Sequence, residues 1–297
     1  MNIANLNHDT HKHDRTITSS TTYWLTKAAF HIAPNKTAKL MREKGFRVRQ
    51  YPLSADQHAL MQQARSFHLE FNGNAIKVFE WGDGPVVLLV HGWAGRALQF
   101  DALIRSLLTK GYRVVAFDHK GHGESSTRFS SFPEIVRSTE LVATHYGEDL
   151  YGVVAHSMGS NSIFKVCEKI EQKLKVAVIA PVGNFMDMLE RLRRRMGIYE
   201  KLYMRVINEI ESENGLQLAD LSELDYGKIN RHDILLVHDK FDRINKVTVS
   251  LDLHANLQGS VLLQTEMLGH SRILGNQEVI AKVITHLEPA GADFIPH

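Results

Sequence analysis

Short, uninterrupted apolar runs recur along the chain, and most are separated by segments whose apolar residues have helical spacing. Strands that are buried on both faces of a parallel sheet have such continuous apolar composition. Their alternation with amphipathic helices predicts an α/β fold, with a mostly parallel central sheet flanked by helices. The predicted buried strands cover 85–90, 112–117, 150–155, 176–180, 234–237 and 261–265.

A different pattern precedes the first of these strands. Residues 66–71 and 75–80 alternate apolar and polar side chains on either side of Asn72 and Gly73. This dipeptide favours the tight turn of a two-residue hairpin, because both residues tolerate a positive φ. The pattern therefore predicts an antiparallel β-hairpin that leads into the parallel sheet.

Two helical stretches lie outside the regular alternation of strands and helices. Residues 21–45 have apolar residues at helical spacing and predict two short helices separated at Pro34. Residues 184–229 are also helical in pattern and contain no predicted strand. We therefore divide the chain into a tail at 1–20, an N-terminal helical segment at 21–65, a core formed by 66–183 and 230–297, and a helical insertion at 184–229.

The N-terminal tail is polar and carries His8, His11 and His13. It lacks the apolar run that a signal peptide requires, and no other segment has the unbroken apolar length of a membrane span. The three histidines could form a metal-binding tract, but we favour a disordered tail because no further ligands surround them. We expect a cytoplasmic protein with no stable membrane insertion.

The composition excludes few classes of protein by itself. The 297 residues include 35 Lys and Arg and 33 Asp and Glu, so no overall charge indicates a nucleic-acid partner. Cys167 is the single cysteine, which excludes an internal disulfide, and its position in a helical pattern indicates a buried apolar side chain. A basic cluster in the insertion is interpreted as a solvated helix face, with anion or acidic-substrate binding as the alternative. The cluster consists of Arg191, Arg193, Arg194 and Arg195.

The segment 153–160 contains the best candidate for a reactive residue. A β-branched run leads into Ser157 and helical spacing begins directly after it, so the serine lies at a sharp turn from a strand to a helix. Ala155 and Gly159 are small enough for such a turn. The segment resembles the G-x-S-x-G nucleophile elbow of the α/β-hydrolase superfamily, with Ala155 in place of the first glycine. An ordinary helix capped by Ser157 is the alternative.

A glycine-containing loop follows the strand 85–90. Its sequence His91-Gly92-Trp93 is similar to the His-Gly-aromatic turn of the same superfamily. The resemblance implies that the backbone N–H of Trp93 and that of Met158 form an oxyanion hole. Simple turn chemistry is the alternative explanation for the glycine.

The loop after the strand 112–117 also matches the superfamily. Residues 118–125 resemble its D-x-x-G-x-G-x-S signature, in which the acid and the glycines shape a loop beside the pocket and take no part in the reaction. We therefore expect structural roles for Asp118, His119 and His122.

A serine hydrolase also needs a carboxylate that holds the catalytic histidine in one tautomer. Asp239 and Asp242 both follow the strand 234–237 and compete for this role. The spacing of the family motif favours Asp242, whereas Asp239 occupies the position that glycine usually holds.

The candidate base is His270. It follows the last predicted strand in a loop beside Gly269, whereas His254 and His286 lie in predicted helices away from strand ends. The resemblance therefore implies a catalytic triad that runs Ser157, Asp242, His270 along the chain, which is the order of the α/β-hydrolase superfamily.

The resemblance further implies an α/β-hydrolase fold with a helical cap and a serine hydrolase activity. We expect cleavage of carboxylic esters of small to medium hydrophobic acyl or alkyl groups, without a cofactor or metal ion. The cap would be the insertion 184–229, and Trp93, Met186 and Leu189 would contact the substrate. The alternative is that the apolar residues of the insertion are buried within a helical layer and do not contact substrate. We expect a small-molecule partner and no nucleic acid, and the oligomeric state stays open.

Several other reactions use the same triad, and the fold does not separate them. They include those of lactonases, thioesterases, carbon–carbon bond hydrolases, acyltransferases and cofactor-free haloperoxidases. A serine at the elbow argues against the epoxide hydrolase and haloalkane dehalogenase branches, which attack with an aspartate. A non-catalytic ligand-binding protein on the same scaffold is the alternative from another class.

Overall fold

The computed structural model describes residues 17–289. The strands are β1 Arg65–Phe71, β2 Asn74–Trp81, β3 Val86–Val90, β4 Arg113–Asp118, β5 Leu150–His156, β6 Lys175–Ile179, β7 Asp233–Asp239 and β8 Val261–Thr265. The α-helices are α1 Ile17–Ile32, α2 Pro34–Gly45, α3 Ala55–Gln62, α4 Asp101–Thr109, α5 Phe132–Tyr146, α6 Met158–Cys167, α7 Phe185–Met196, α8 Glu200–Asn214, α9 Tyr226–Ile229, α10 Thr248–Asn256, α11 Gly269–Arg272 and α12 Gln277–Leu287.

All eight strands form one sheet in the order β1-β2-β4-β3-β5-β6-β7-β8. The pairs β1/β2 and β2/β4 are antiparallel, and every pair from β4/β3 to β7/β8 is parallel. The predicted α/β fold with a mostly parallel sheet is therefore confirmed. The hairpin turn has a positive φ at both Asn72 and Gly73, as its sequence requires.

The strand β3 shows why the middle of the sheet reads as a continuous apolar run. All five of its residues are buried. Val87 and Leu89 belong to one apolar cluster, and Leu88 and its even-numbered neighbours belong to a second cluster on the opposite face. Because successive strand residues point to opposite faces, a strand covered on both sides has no polar position.

The described residues divide into two compact units. A helical unit contains 17–46 and 184–220, and a sheet unit contains 47–183 and 221–289. The border at 183/184 coincides with the expected start of the insertion. The other borders fall at 46/47 and 220/221, whereas the sequence suggested 65/66 and 229/230.

The difference at the first border follows from contacts that residues 47–65 make within the sheet unit. Leu60 of α3 is buried, and its carbonyl accepts a hydrogen bond from the Trp81 indole at 2.8 Å. The N–H of Val48 donates to the Arg128 carbonyl at 2.9 Å. These residues therefore belong with the sheet and not with the preceding helices.

The helical unit consists of α1, α2, α7 and α8. Tyr199 lies between α7 and α8, and its ring packs against Tyr23, Phe30 and His31 of α1. The Tyr199 N–H donates to the Thr26 hydroxyl at 3.1 Å. The α1/α2 break occurs at Pro34, which begins α2, as the sequence predicted.

Of the four arginines in the basic cluster of α7, two form ion pairs and two are exposed to solvent. Arg193 and Arg194 both pair with Glu190. These contacts lower the pKa of the Glu190 carboxyl to about 2, with the Arg193 hydrogen bond as the largest cause. Arg191 and Arg195 are exposed.

Two expectations concern the start of the chain. The tail was expected to extend to residue 20, but α1 begins at Ile17. His8, His11 and His13 lie outside the described residues. Between residues 17 and 289, no helix has the length and apolar character needed to cross a membrane.

Candidate active site

Ser157 lies at the junction between β5 and α6, with φ +54° and ψ −124°. This backbone conformation is strained for a residue with a side chain. The Ser157 N–H donates to the Ile179 carbonyl at 2.9 Å, which ties the turn to the next strand. The Ser157 side chain makes no capping hydrogen bond to α6, so the capping alternative does not hold.

The residues on either side of Ser157 show why small side chains are required. A Cβ on Gly159 would lie 2.5 Å from the Val90 carbonyl oxygen and 2.6 Å from that of His91. Ala155 is completely buried in β5. The turn therefore requires glycine at 159, whereas the methyl group of Ala155 fits within the sheet.

The structure brings the three predicted triad residues together. The His270 Nε2 lies 3.1 Å from the Ser157 Oγ, and the His270 Nδ1 lies 2.7 Å from the Asp242 Oδ2. A carboxylate accepts, so the Nδ1–H donates to Asp242 and Nε2 is left to accept the serine proton. This arrangement can activate a hydroxyl as a nucleophile.

The Asp242 carboxylate is buried and well supplied with donors. Its Oδ1 accepts the N–H groups of Ile244 at 2.7 Å and Asn245 at 3.0 Å. Burial raises the pKa of this carboxyl, but the nearby His238, the hydrogen bond from His270 and the Asn245 N–H outweigh it, so the net pKa lies well below its usual range. Asp242 is therefore ionised at neutral pH.

Asp239, the competing aspartate, has a different set of partners. Its Oδ1 accepts the Phe241 N–H at 3.0 Å, and its Oδ2 accepts the Thr265 hydroxyl and the Leu268 N–H, each at 2.9 Å. Its carboxylate thus links the end of β7 to the segment 265–268, which leads into the short helix α11 that carries His270. Burial raises the pKa of Asp239, but these hydrogen bonds lower it further than burial raises it.

His156 is a site residue that the sequence analysis missed. Its Nε2–H donates to the His270 carbonyl at 2.9 Å, and the Gln99 amide nitrogen lies 3.3 Å from its Nδ1. Burial lowers the pKa of His156 to about 3, so the ring is neutral. The sequence contains one signal for His156, which is its position directly before Ser157. The motif allows any residue at that position, so the signal was not used.

His238 is the second residue that was missed. It is completely buried, and its Nε2 lies 3.6 Å from the Asp242 Oδ2. The same nitrogen donates to the Asn245 carbonyl at 3.1 Å, and the Ser250 hydroxyl lies 2.7 Å from its Nδ1. The Asn245 amide in turn donates to the Ala180 carbonyl at 2.9 Å. His238 and Asn245 therefore fix the loop that presents Asp242.

The loop after β3 packs directly against the elbow. A Cβ on Gly92 would lie 2.8 Å from the Ser157 Cβ and 3.2 Å from the Met158 nitrogen. Within the described part of the chain, the N–H groups of Trp93 and Met158 donate to no protein acceptor. Two such free donors beside a nucleophile can bind a developing oxyanion.

Buried histidines hold this loop in place. The His91 Nδ1–H donates to the Gly92 carbonyl at 2.7 Å, and the His122 Nε2 accepts the Ala94 N–H at 3.1 Å. Ala94 has a φ of +56°, so its turn depends on such support. Burial is the main cause that lowers the pKa of His91 and His122 to about 3 each.

The loop 118–125 makes contacts of the kind expected for a structural role. The Asp118 carboxylate accepts the N–H groups of Ala97 and Glu124, each at 2.7 Å. Burial nevertheless raises the pKa of Asp118 above its ordinary value. His119 donates to the His91 carbonyl from its Nε2 at 3.0 Å, and burial keeps its pKa well below the usual value. These side chains do not contact Ser157.

The remaining candidates lie elsewhere. His254 contacts the Ser260 hydroxyl, and His286 donates to the Asp233 carbonyl. Met186 and Leu189 belong to α7 in the helical unit, where Leu189 is buried. Their contact with substrate stays a prediction, as does that of the half-buried Trp93.

The fold and the matched family model define the class of protein. The model of the α/β hydrolase fold matches residues 85–222. The crystal structure of a putative lipase from Acinetobacter baumannii superposes with a TM-score of 0.59 at 20% identity, over 80% of this chain and 97% of that one. The Pyrococcus furiosus esterase Pf2001 superposes with a TM-score of 0.59 at 16% identity, over 81% of this chain and 95% of that one. The chain has the α/β-hydrolase fold, and its sequence is similar to the α/β-hydrolase superfamily over residues 85–222.

Relatives by sequence resemble only part of the chain. A serine hydrolase-like protein of Danio rerio is 28% identical over 162 residues, which are 50% of this chain and 49% of that protein. A non-heme haloperoxidase of Rhodococcus erythropolis is 32% identical over 85 residues, 29% of this chain and 28% of that protein. The chain thus spans about half or less of these relatives' length.

Proposed function

We propose that this protein is a serine hydrolase that cleaves carboxylic esters of small to medium hydrophobic acyl or alkyl groups. The observation that carries the proposal is the unbroken chain of contacts from the Ser157 Oγ to the His270 Nε2 and from the His270 Nδ1 to the Asp242 carboxylate. The site lies at the carboxyl ends of the parallel strands, where α/β sheets bind ligands.

In the acylation step, the Ser157 oxygen attacks the ester carbonyl carbon while its proton moves to the His270 Nε2. The negative charge that develops on the carbonyl oxygen is held by the N–H groups of Trp93 and Met158, which are worth roughly a hundredfold or more in rate each. The bond to the leaving alkoxide then breaks, and the alkoxide takes the proton from His270. An acyl-Ser157 ester remains.

In the deacylation step, a water molecule gives its proton to His270 and attacks the acyl carbonyl. The second tetrahedral intermediate collapses, the Ser157 oxygen recovers its proton from His270, and the carboxylic acid leaves. Asp242 stays ionised throughout, since its role is to orient His270 and stabilise the imidazolium.

The test is hydrolysis of p-nitrophenyl esters of increasing acyl length by the wild type and by Ser157→Ala. We expect turnover by the wild type and a loss of at least about a thousandfold in the variant. Matched circular dichroism spectra would show that the variant still folds. An unchanged rate in Ser157→Ala would contradict the assignment, and the preferred acyl length would measure the pocket.

A second reaction is suggested by the name of one relative, the non-heme haloperoxidase. In that reaction, hydrogen peroxide replaces water in the second step, attacks the acyl-Ser157 carbonyl and releases a peracid. A peracid formed from acetate and peroxide would oxidise bromide, which the halogenation of a diketone dye reports. Halogenation that depends on Ser157, with weak ester turnover, would favour this reaction.

A fluorophosphonate probe separates both enzymes from a non-catalytic ligand-binding protein. The serine oxygen bonds to the phosphorus of the probe and the P–F bond breaks with loss of fluoride, which requires a base that takes the serine proton. We expect labelling of Ser157 in the wild type and none after His270→Ala. Absence of labelling in the wild type would favour the binding protein.

We also propose that the protein resides in the cytoplasm. Cys167 is buried, and burial raises the pKa of its thiol to about 12, so it stays a thiol that packs as a small apolar group. A single thiol without a disulfide fits a reducing compartment. Cell fractionation with an antibody to the full chain would test this location.

A further inference from the structure

The outward face of α1 is apolar. Trp24, Leu25 and Ile32 expose 63%, 66% and 84% of their surfaces, and Ala28 and Ala29 between them are also exposed. Their spacing places all five on one side of the helix. Scattered apolar residues on a surface need no explanation, but a row along one helix face indicates a binding surface.

The opposite face of α1 is occupied within the helical unit. Tyr23 and Phe30 pack on Tyr199, and the Thr26 hydroxyl accepts the Tyr199 N–H. Between Tyr23 and Ile32, α1 therefore carries apolar side chains on both its inward and its outward side, and the exposed Thr21 lies beside the outward ones. A helix that carries apolar residues on opposite sides normally packs against a partner on each side. The outward side of α1 has no such partner in the described part of the chain.

The helices that contact α1 extend this apolar character. On α7, Leu192 and Met196 expose 48% and 47% of their surfaces, and on α2, Leu40 exposes 51%. These positions lie in the C-terminal half of α7 and the middle of α2. On α8, Met204 exposes 43% of its surface, so all four helices of the unit carry exposed apolar residues.

The charges of α1 and α2 are mostly positive. Residues 17–46 contain Glu43 as their only acidic residue, against five basic residues, which are Lys27, Lys36, Lys39, Arg42 and Lys44. The Lys27 ammonium lies 4.8 Å from the centre of the Trp24 ring. No carboxylate within the described part of the chain pairs with Lys27, Lys36 or Lys44, nor with Arg191 or Arg195 of α7.

We propose that α1 binds the surface of an anionic lipid bilayer, lying in the plane of the membrane. Trp24, Leu25 and Ile32 enter the boundary between headgroups and acyl chains, and the unpaired cations contact lipid phosphates. Tryptophan prefers this boundary because its ring is apolar and its N–H is polar. A second copy of the chain suits the face less well, because it would bring two sets of unpaired cations together. The proposal does not depend on the catalytic assignment.

The test is co-sedimentation of the full chain with vesicles of phosphatidylcholine alone or with about one third phosphatidylglycerol. We expect binding to the anionic vesicles that weakens about tenfold or more between about 0.05 M and 0.5 M salt, because salt screens the charge contacts. The triple variant Trp24→Ser, Leu25→Ser, Ile32→Ser should lose at least about tenfold in affinity, since it removes the apolar anchors.

A matched control removes exposed apolar side chains from the sheet unit. Leu251 and Val261 expose 41% and 45% of their surfaces and lie outside the active site. The double variant Leu251→Ser, Val261→Ser should bind vesicles like the wild type. Circular dichroism and thermal unfolding would show that both variants fold.

Trp24 fluorescence gives a second readout. Trp81 is buried and Trp93 half-buried, so a blue shift on vesicle addition that disappears in Trp24→Phe reports Trp24 itself. Lack of binding to anionic vesicles, or equal binding by the triple variant, would overturn the proposal. So would a wild-type dimer in sedimentation velocity that the triple variant abolishes, because the occupant would then be a second copy.

Discussion

Two aspartates three positions apart, one at the end of β7 and one in the loop that follows, show how closely the role of a residue depends on its partners. Asp239 and Asp242 are both buried, and both carboxyl groups have a lowered pKa. Asp242 contacts the imidazole of His270, whereas Asp239 accepts hydrogen bonds from backbone and hydroxyl donors in two segments of the chain. The first arrangement orients a base, and the second joins two segments.

Substitution of each aspartate by asparagine should separate these roles. Asp242→Asn leaves the shape of the site but favours the wrong tautomer of His270, so kcat should fall by about a thousandfold to ten thousandfold. Asp239→Asn should keep kcat within about tenfold and lower the free energy of unfolding by about 1–3 kcal/mol, because one of its acceptor positions becomes a donor. Ester kinetics and urea unfolding of both variants measure this contrast. Equal losses of kcat would contradict it.

His156 should act on His270 through the backbone of that residue. Because its Nε2–H holds the His270 carbonyl, His156→Ala should lower kcat by about tenfold to a hundredfold through misplacement of the base. His156→Gln retains a side-chain donor and should recover part of the loss. A purely structural role would lower stability in both variants and leave kcat per folded molecule unchanged, which active-site titration would detect.

For single residues, the positions in known motifs were predictable from the sequence. The side chains that hold those residues in place by hydrogen bonds were not. Ser157, Asp242 and His270 occupy positions where the family motif places the reactive groups, and the structure brings them into contact. Gln99 and His238 carry no motif, since their roles depend on contacts between residues far apart in the sequence. Their partners became visible only once the chain was folded.

Among the elements, the junction of β5 and α6 leaves little room for larger side chains. The positive φ of Ser157 turns the chain so sharply that α6 starts against the loop after β3. This turn brings Gly159 so close to two carbonyl oxygens that no side chain fits at this position.

Gly159→Ala should therefore disrupt the elbow. The added methyl group would overlap the Val90 and His91 carbonyl oxygens, and we expect a loss of about 1–3 kcal/mol in stability together with most of the activity. The matched variant Ala155→Gly restores the family motif and should keep activity, at a cost of about 0.5–1 kcal/mol from a more flexible strand. Thermal unfolding and ester kinetics test both. A fully active Gly159→Ala would refute the packing argument.

The strands were predictable as elements because burial on both faces leaves an unmistakable apolar run, as β3 shows. The helices of the N-terminal segment were predictable as helices, but the grouping of 17–46 with 184–220 was not. Periodicity reveals that a face is apolar and does not reveal what covers it. For the same reason, the pattern of α1 could not show that its outward face lies exposed.

For the molecule as a whole, buried histidines tie stability to pH. His91, His122 and His156 each have a pKa of about 3, against about 6.5 for a free histidine. Between these values the unfolded chain binds protons that the folded chain excludes. Stability is therefore complete above about pH 6.5 and falls as the pH drops towards about 3. The lowered pKa of Asp242 acts in the same direction below about pH 4.

We expect urea unfolding at several pH values between about 7.5 and 4 to show a steady fall in the free energy of unfolding on acidification. His119 is a fourth buried ring with a lowered pKa, so His156→Gln removes one of at least four such groups and should flatten this slope by about a quarter at most. A constant stability over the range, or the same slope in the variant, would show that these rings are protonated in the folded chain.

The contact between His156 and the loop of His270 also has an evolutionary consequence. The family motif leaves the position before the serine open to any residue, yet here that side chain receives a hydrogen bond from Gln99 and donates one to the backbone of the base. Residues 99 and 156 should therefore covary among close homologues, because a lineage that replaces the imidazole has no further use for the amide. An alignment that considers positions 99 and 156 together should show that position 156 varies less freely than the motif suggests.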